Sequence, residues 1–184
     1  MLHRLRNETS AVHHRVETRL DLLSPALDIE RYGRVLQGMH AAWVPLEAHI
    51  AAFCPAEDYN FWQGREQAHR LAADLESLGI TPGPSFVPGA PLPDVRDRSA
   101  WLGALYVVEG STLGGQVISR HLQQRFGWQE GFGHSFFLGY GARTGERWRQ
   151  VLRALEEPGL DGNQTVRGAH QTFSYLELCF AAGL

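Results

Sequence analysis

The hydrophobic positions of this chain repeat at helical spacing almost from end to end. Leu2, Leu5, Val12, Val16, Leu20 and Leu23 fall at steps of three, four or seven, which predicts one apolar face of a first helix. Pro25 is expected to end it. Asp28 is a predicted N-cap for a long second helix, IERYGRVLQGMHAAWVPLEAHIAAF, with a kink expected at Pro45. A third helix is predicted over residues 64–78, stopping at Gly79. The stretch 79–94, GITPGPSFVPGAPLPD, holds five of the nine prolines and is predicted to be a long surface loop. Helical periodicity resumes near Asp94, runs to about Phe126, and returns near 143–156 and 163–182. No strand alternation, hairpin signal or internal repeat interrupts this. The pattern predicts an all-α bundle of six to eight helices. Neither side of the proline-rich stretch carries a complete core pattern, so residues 1–184 are expected to form a single domain.

Composition narrows the function classes. A hydrophobic fraction of 43%, a charged fraction of 20% and a net charge of −3 are ordinary for a globular protein. They offer no case for a nucleic-acid or anionic-membrane partner. All positively charged side chains apart from histidine are arginines, so an anion must be held by Arg, His, hydroxyls or backbone amides. No apolar run reaches the roughly 18 residues of a spanning helix. The charged start, MLHRLRNETSAVHHRVE, does not read as a signal peptide, and the cytoplasm is the expected compartment. Cys54 and Cys179 lie in apolar contexts far apart and are expected to be buried free thiols.

One stretch breaks the helical grammar. YVVEGSTLGGQVISRHL, residues 106–122, carries Gly110, Gly114 and Gly115 inside a helix, each costing about 1 kcal/mol relative to alanine. It is not a phosphate loop, because Gln116 and Val117 stand where Lys and Ser/Thr are required. Gly110 and Gly114 share one helix face. That face suits either close helix packing or a flat, rigid ligand laid against bare backbone. Gly115 would widen the same region, and Ser111 adds a small hydroxyl.

A flat ligand centred on a metal needs an axial donor, and His13 has the best context among the nine histidines. Thr9, His13 and Glu17 are four apart and line one strip of the first helix. Glu17 could accept a proton from the second ring nitrogen of His13 and fix its tautomer. Arg6 lies seven residues earlier, about 10 Å along the axis, a suitable reach for a carboxylate at a macrocycle edge. His14 points about 100° away, toward the expected solvent side. A di-iron carboxylate bundle needs paired Glu-x-x-His motifs, and this chain has a single one, Glu66 to His69, with no second to pair with it.

These residues carry a family resemblance. LRNETSAVHHRVE resembles the L-x-x-x-T-x-x-x-H-x-x-x-E signature of haem oxygenases, with Leu5, Thr9, His13 and Glu17 in register. LYVVEGSTLGGQVISRHL is similar to the distal helix of their bacterial branch, especially the enzymes that accompany bacterial phytochromes. LAADLESLGI, HSFFLGYG and TFSYLELCF are also similar to that family, so the resemblance spans nearly the whole chain in order. It implies an all-α fold of the haem oxygenase type and cleavage of haem to biliverdin, CO and ferrous iron. Haem would be both cofactor and substrate, and O2 and an external electron donor (ferredoxin, flavodoxin or a reductase) would be required. A bacterial phytochrome is the implied bilin acceptor.

The resemblance also assigns residues. His13 would ligate the iron, with Glu17 orienting it. Arg6 and Tyr106 would hold propionates, joined by Arg143 or Arg147. Gly110 and Gly114 would form the distal wall, with Ser111 helping to hold water. A strong distal acid or imidazole would favour splitting the O–O bond, and a bare wall leaves oxygen free to reach the porphyrin's own meso carbon. The animal-type motif carries an aspartate where Ser111 stands, and uses lysines that this chain lacks. The same residues would also serve a haem-binding or haem-delivery protein without catalysis.

Overall fold

The computed structural model describes residues 1–83 and 89–183, and within them every regular element is helical. The α-helices are α1 (Leu2–Leu20), α2 (Ile29–Ala52), α3 (Tyr59–Trp62), α4 (Ala68–Ser77), α5 (Arg98–Phe126), α6 (Ser135–Leu138), α7 (Thr144–Ala154) and α8 (Gly162–Gly183). Short 3₁₀ turns precede α3 and α7. The predicted loop 79–94 is irregular at 79–83 and 89–94, and residues 84–88 lie outside the described set.

Helix ends follow local chemistry. α1 stops at Leu20 because Asp21 turns into the left-handed region (φ 44°), its N–H bonding the Glu17 carbonyl at 2.9 Å. The helix therefore ends before the predicted Leu23, which is exposed, while Leu22 turns into the core. Asp28 caps α2 as expected, its side chain accepting from the Arg31 N–H at 2.7 Å. α2 continues through Pro45. The third helix begins four residues later than predicted. There the buried Glu47 carboxylate of α2 accepts the N–H groups of Gln67 and Ala68, supplying from a distance the cap that local sequence lacks. Asp97 caps α5, and Gly127 closes it in the left-handed conformation. The four-residue helices α3 and α6 are too short to show a period.

α8 is the central post, packed against α5, α1 and α2. Its approach to α5 depends on two glycines. A Cβ at Gly103 would fall 2.0 Å from the Thr165 carbonyl oxygen, and one at Gly168 would fall 2.1 Å from that of Ala100. Buried hydrogen bonds lock the same layer, from Trp101 Nε1 to the Ile50 carbonyl (2.9 Å) and from the Tyr175 hydroxyl to that of Ala42 (3.0 Å). Cys179 is buried and free as expected. Cys54 is free but only half-buried, because the chain leaves α2 at Phe53 and brings it toward the surface.

Candidate functional site

Where α1 and α5 meet the α8 post, the bundle leaves a cavity of about 500 Å³. That volume lies within the roughly 300–1,000 Å³ of cofactor-sized sites. α1 reaches it because Leu5, Val12 and Val16 take its apolar face into the core. The adjoining strip, Arg6, Thr9, Ser10, His13 and Glu17, is thereby turned toward the cavity. His14 is exposed, as expected of the solvent-side neighbour, and also borders the cavity.

The His13 ring is 51% exposed, packed beside Phe173 of α8 with ring centroids 5.2 Å apart. Its Nε2 lies 3.4 Å from Glu17 Oε1. The pairing expected from the four-residue spacing is present, and in this rotamer it uses Nε2, leaving Nδ1 as the other donor atom. Thr9 is buried, and its hydroxyl donates to the Leu5 carbonyl at 2.8 Å.

From α5 come Tyr106, Gly110, Ser111 and Gly114. The three glycines prove to serve two purposes. A Cβ at Gly114 would meet nothing within 4 Å, and one at Gly110 would make only ordinary contact with Trp148 at 3.7 Å. Gly114 thus faces open space, and Gly110 leaves room for the Trp148 indole. A Cβ at Gly115 would fall 2.4 Å from the Phe137 carbonyl oxygen. Gly115 is therefore a packing glycine that admits α6, which corrects the expectation that it widens the ligand face. Close packing accounts for Gly115, whereas Gly110 and Gly114 border the cavity.

Ser111 Oγ donates to the Val108 carbonyl at 2.7 Å, so its lone pairs remain to accept a further hydrogen bond. Tyr106 is half-buried beside α1. Burial pushes its hydroxyl pKa up, opposed by the Arg6 charge and a hydrogen bond with Thr9. Arg6 and Tyr106 both line the cavity. Apolar side chains complete it: Met39 and Trp43 from α2, Phe136 and Phe137 from α6, and Trp148 from α7. Arg143 and Arg147 are not among the lining residues. Arg147 lies over the Tyr140 ring, 4.5 Å from its centroid, which corrects its expected place beside Arg6.

Two aromatic contacts escaped the reading of the sequence. Phe173 flanks His13, and Trp148 covers Gly110 and packs on Tyr106 with ring centroids 5.7 Å apart. Each lies on a helix whose period was legible, but which face would meet the cavity was not. Among the described residues, no three His, Cys, Asp or Glu side chains converge on a metal-sized site, so His13 would be a lone protein ligand. One imidazole, a backbone wall that a Cβ would narrow, and an arginine and a tyrosine in the same lining form a donor set that fits haem.

No family model matches the chain. Its sequence is 29% identical over 160 residues to a haem oxygenase of Xanthomonas campestris, covering 85% of this chain and 92% of that protein. The fold matches that of the haem oxygenase of Neisseria meningitidis, solved in NO- and CO-bound forms. The TM-score is 0.70 at 22% identity, over 96% of this chain and 88% of that one. In sequence and in fold the chain is similar to haem oxygenases. Within this haem oxygenase-like fold, the N-terminal strip and the glycine helix, nearly 100 residues apart, line one cavity.

Proposed function

We propose that this protein is a haem oxygenase that cleaves haem to biliverdin, CO and ferrous iron, working as a single domain in the cytoplasm. The observation that carries the proposal is that His13, Glu17, Arg6, Tyr106, Gly110, Ser111 and Gly114 all line the same cofactor-sized cavity. Bound haem would supply an iron that activates O2 and also the carbon skeleton that is cleaved.

The chain's own residues bind and orient. His13 would present an imidazole nitrogen to the iron, and Glu17, 3.4 Å from the ring, would restrain it and raise its basicity. Arg6 and Tyr106, both in the lining, would provide a cation and a hydroxyl for propionates. The apolar aromatics limit water to the polar rim. On the α5 wall the lining residues include no carboxylate and no imidazole. Protons must therefore arrive through water, which Ser111 Oγ can position as an acceptor. Gly110 and Gly114 keep that wall at backbone depth, leaving room beside the ring edge. Orientation and weak hydrogen bonding are the protein's main contributions. Electrons come from a ferredoxin, flavodoxin or reductase, and a bacterial phytochrome is the proposed acceptor of the bilin.

The test is a haemin titration followed by ascorbate or a reductase under air. We expect a Soret band that His13→Ala abolishes or shifts, then its decay with growth of bilin absorbance and release of CO. A Soret band that persists through reduction without bilin would identify a haem carrier and overturn the catalytic reading.

A further inference from the structure

Glu109 directly precedes Gly110, yet its carboxylate takes no part in the cavity wall. It is 1% exposed and is bound on both oxygens. Oε2 accepts from Arg65 Nη1 at 2.7 Å, and Oε1 accepts from the Tyr140 hydroxyl at 2.5 Å. Arg65, equally buried, donates through Nε to the Phe61 carbonyl at 2.6 Å and through Nη2 to Gln150 Oε1 at 2.7 Å. Its guanidinium also lies 4.2 Å over the Phe61 ring. Three parts of the chain are thereby tied to α5 at one residue: the segment from α3 to α4, the α6–α7 connection and α7 itself. Gln150 and Trp148 are on the same helix, so the tie that reaches Gln150 also holds the helix whose indole covers Gly110.

Stability alone is a weak reason for this arrangement. A buried ion pair is often matched or bettered by apolar side chains of equal volume, because desolvation offsets most of the attraction. Glycines at 110, 114 and 115 make this part of α5 easier to bend than an ordinary helix. A wall of that kind needs an external fixture to keep its depth.

We propose that Glu109 is a positioning residue: clamped by Arg65 and Tyr140, it fixes the height and rotation of α5 at Gly110 and so sets the depth of the cavity wall against which haem lies. The inference rests on the haem reading given above. The fixture itself is a property of the ligand-free protein and can be measured there.

Two variants test it: Tyr140→Phe, which removes the hydroxyl's contacts to Glu109 and to the Arg65 carbonyl and keeps the ion pair, and the apolar set Arg65→Met, Glu109→Leu and Tyr140→Phe combined. In the ligand-free state, hydrogen exchange of the amides from Gly110 to Gly115 should quicken by about tenfold or more in both, as expected for loss of a hydrogen bond to a charged group. The apolar set should melt at or above the wild-type temperature. With haemin and a reductant, both should keep a His13-dependent Soret band and change the ratio of bilin isomers. Unchanged exchange together with an unchanged isomer ratio in either folded variant would overturn the proposal. If the apolar set fails to fold, Tyr140→Phe decides alone. If the wild type neither binds nor cleaves haem, the functional reading fails, while the exchange comparison still tests the clamp.

Discussion

Adjacent glycines on α5 should respond to alanine with opposite signs. At Gly114 an added Cβ meets nothing within 4 Å, so Gly114→Ala gains helix propensity at no steric cost. The gain is about 1 kcal/mol. For a chain of 184 residues this corresponds to a rise in melting temperature of roughly 2–4 °C. At Gly115 the same Cβ would sit 2.4 Å from the Phe137 carbonyl oxygen and 3.2 Å from that residue's carbonyl carbon and Cα. These are backbone atoms, so α5 and α6 must separate. Overpacking of this kind costs roughly 1–3 kcal/mol and sometimes more, and a backbone clash belongs at the upper end. After the propensity gain, Gly115→Ala should lose about 2 kcal/mol and melt several degrees lower. Urea or thermal unfolding of the ligand-free proteins checks the signs, and a haemin titration follows. Gly114→Ala should bind haemin more weakly despite its greater stability, because the new methyl occupies the open wall. If both variants shift stability in the same direction, the division between packing and ligand glycines is wrong. If Gly114→Ala binds haemin as tightly as the wild type, the open wall at 114 is not ligand space.

Further outcomes follow from the polar anchors. Burial raises the Glu47 pKa to about 7, against the backbone N–H bonds from Gln67 and Ala68 that lower it. A carboxyl raised above its unfolded value of about 4.5 contributes stability below that value and loses it as pH climbs toward 7. Wild-type urea midpoints should therefore fall between about pH 4.5 and 7, and Glu47→Gln should flatten that slope; a slope unchanged in the variant removes Glu47 as its source. Asp74 accepts from the Ser135 and Phe136 N–H groups at 2.6 and 2.9 Å, seating the first turn of α6. Asp74→Asn should cost roughly 1–3 kcal/mol by leaving a buried donor unpaired, and equal melting temperatures would contradict this. Arg6→Ala should weaken binding of haemin but not of its dimethyl ester, since only the former carries propionate charges; equal losses for both would place Arg6 away from those carboxylates.

Much of the architecture was legible because long amphipathic helices write their period into the chain. α1, α2, α5, α7 and α8 were located from apolar spacing and from caps such as Asp28. The start of α4 was not, since its cap is Glu47, 20 residues before Gln67. α6 escaped because its N–H groups are satisfied by Asp74, 61 residues before Ser135. The candidate site divides in the same manner. His13, Glu17 and Arg6 share a strip that helix geometry alone predicts.

The sequence by itself determined which side chains share a helix face, since 3.6 residues per turn is a local rule. Only the tertiary structure decided what each face meets. It separated Gly114, open to the cavity, from Gly115, pressed on Phe137, although both are glycines in one helix. It sent Arg147 to Tyr140 instead of the cavity, and it clamped Glu109 between Arg65 and Tyr140 from segments 44 and 31 residues away. Such contacts depend on how helices stack and rotate against α8, and no residue's immediate neighbours along the chain encode that.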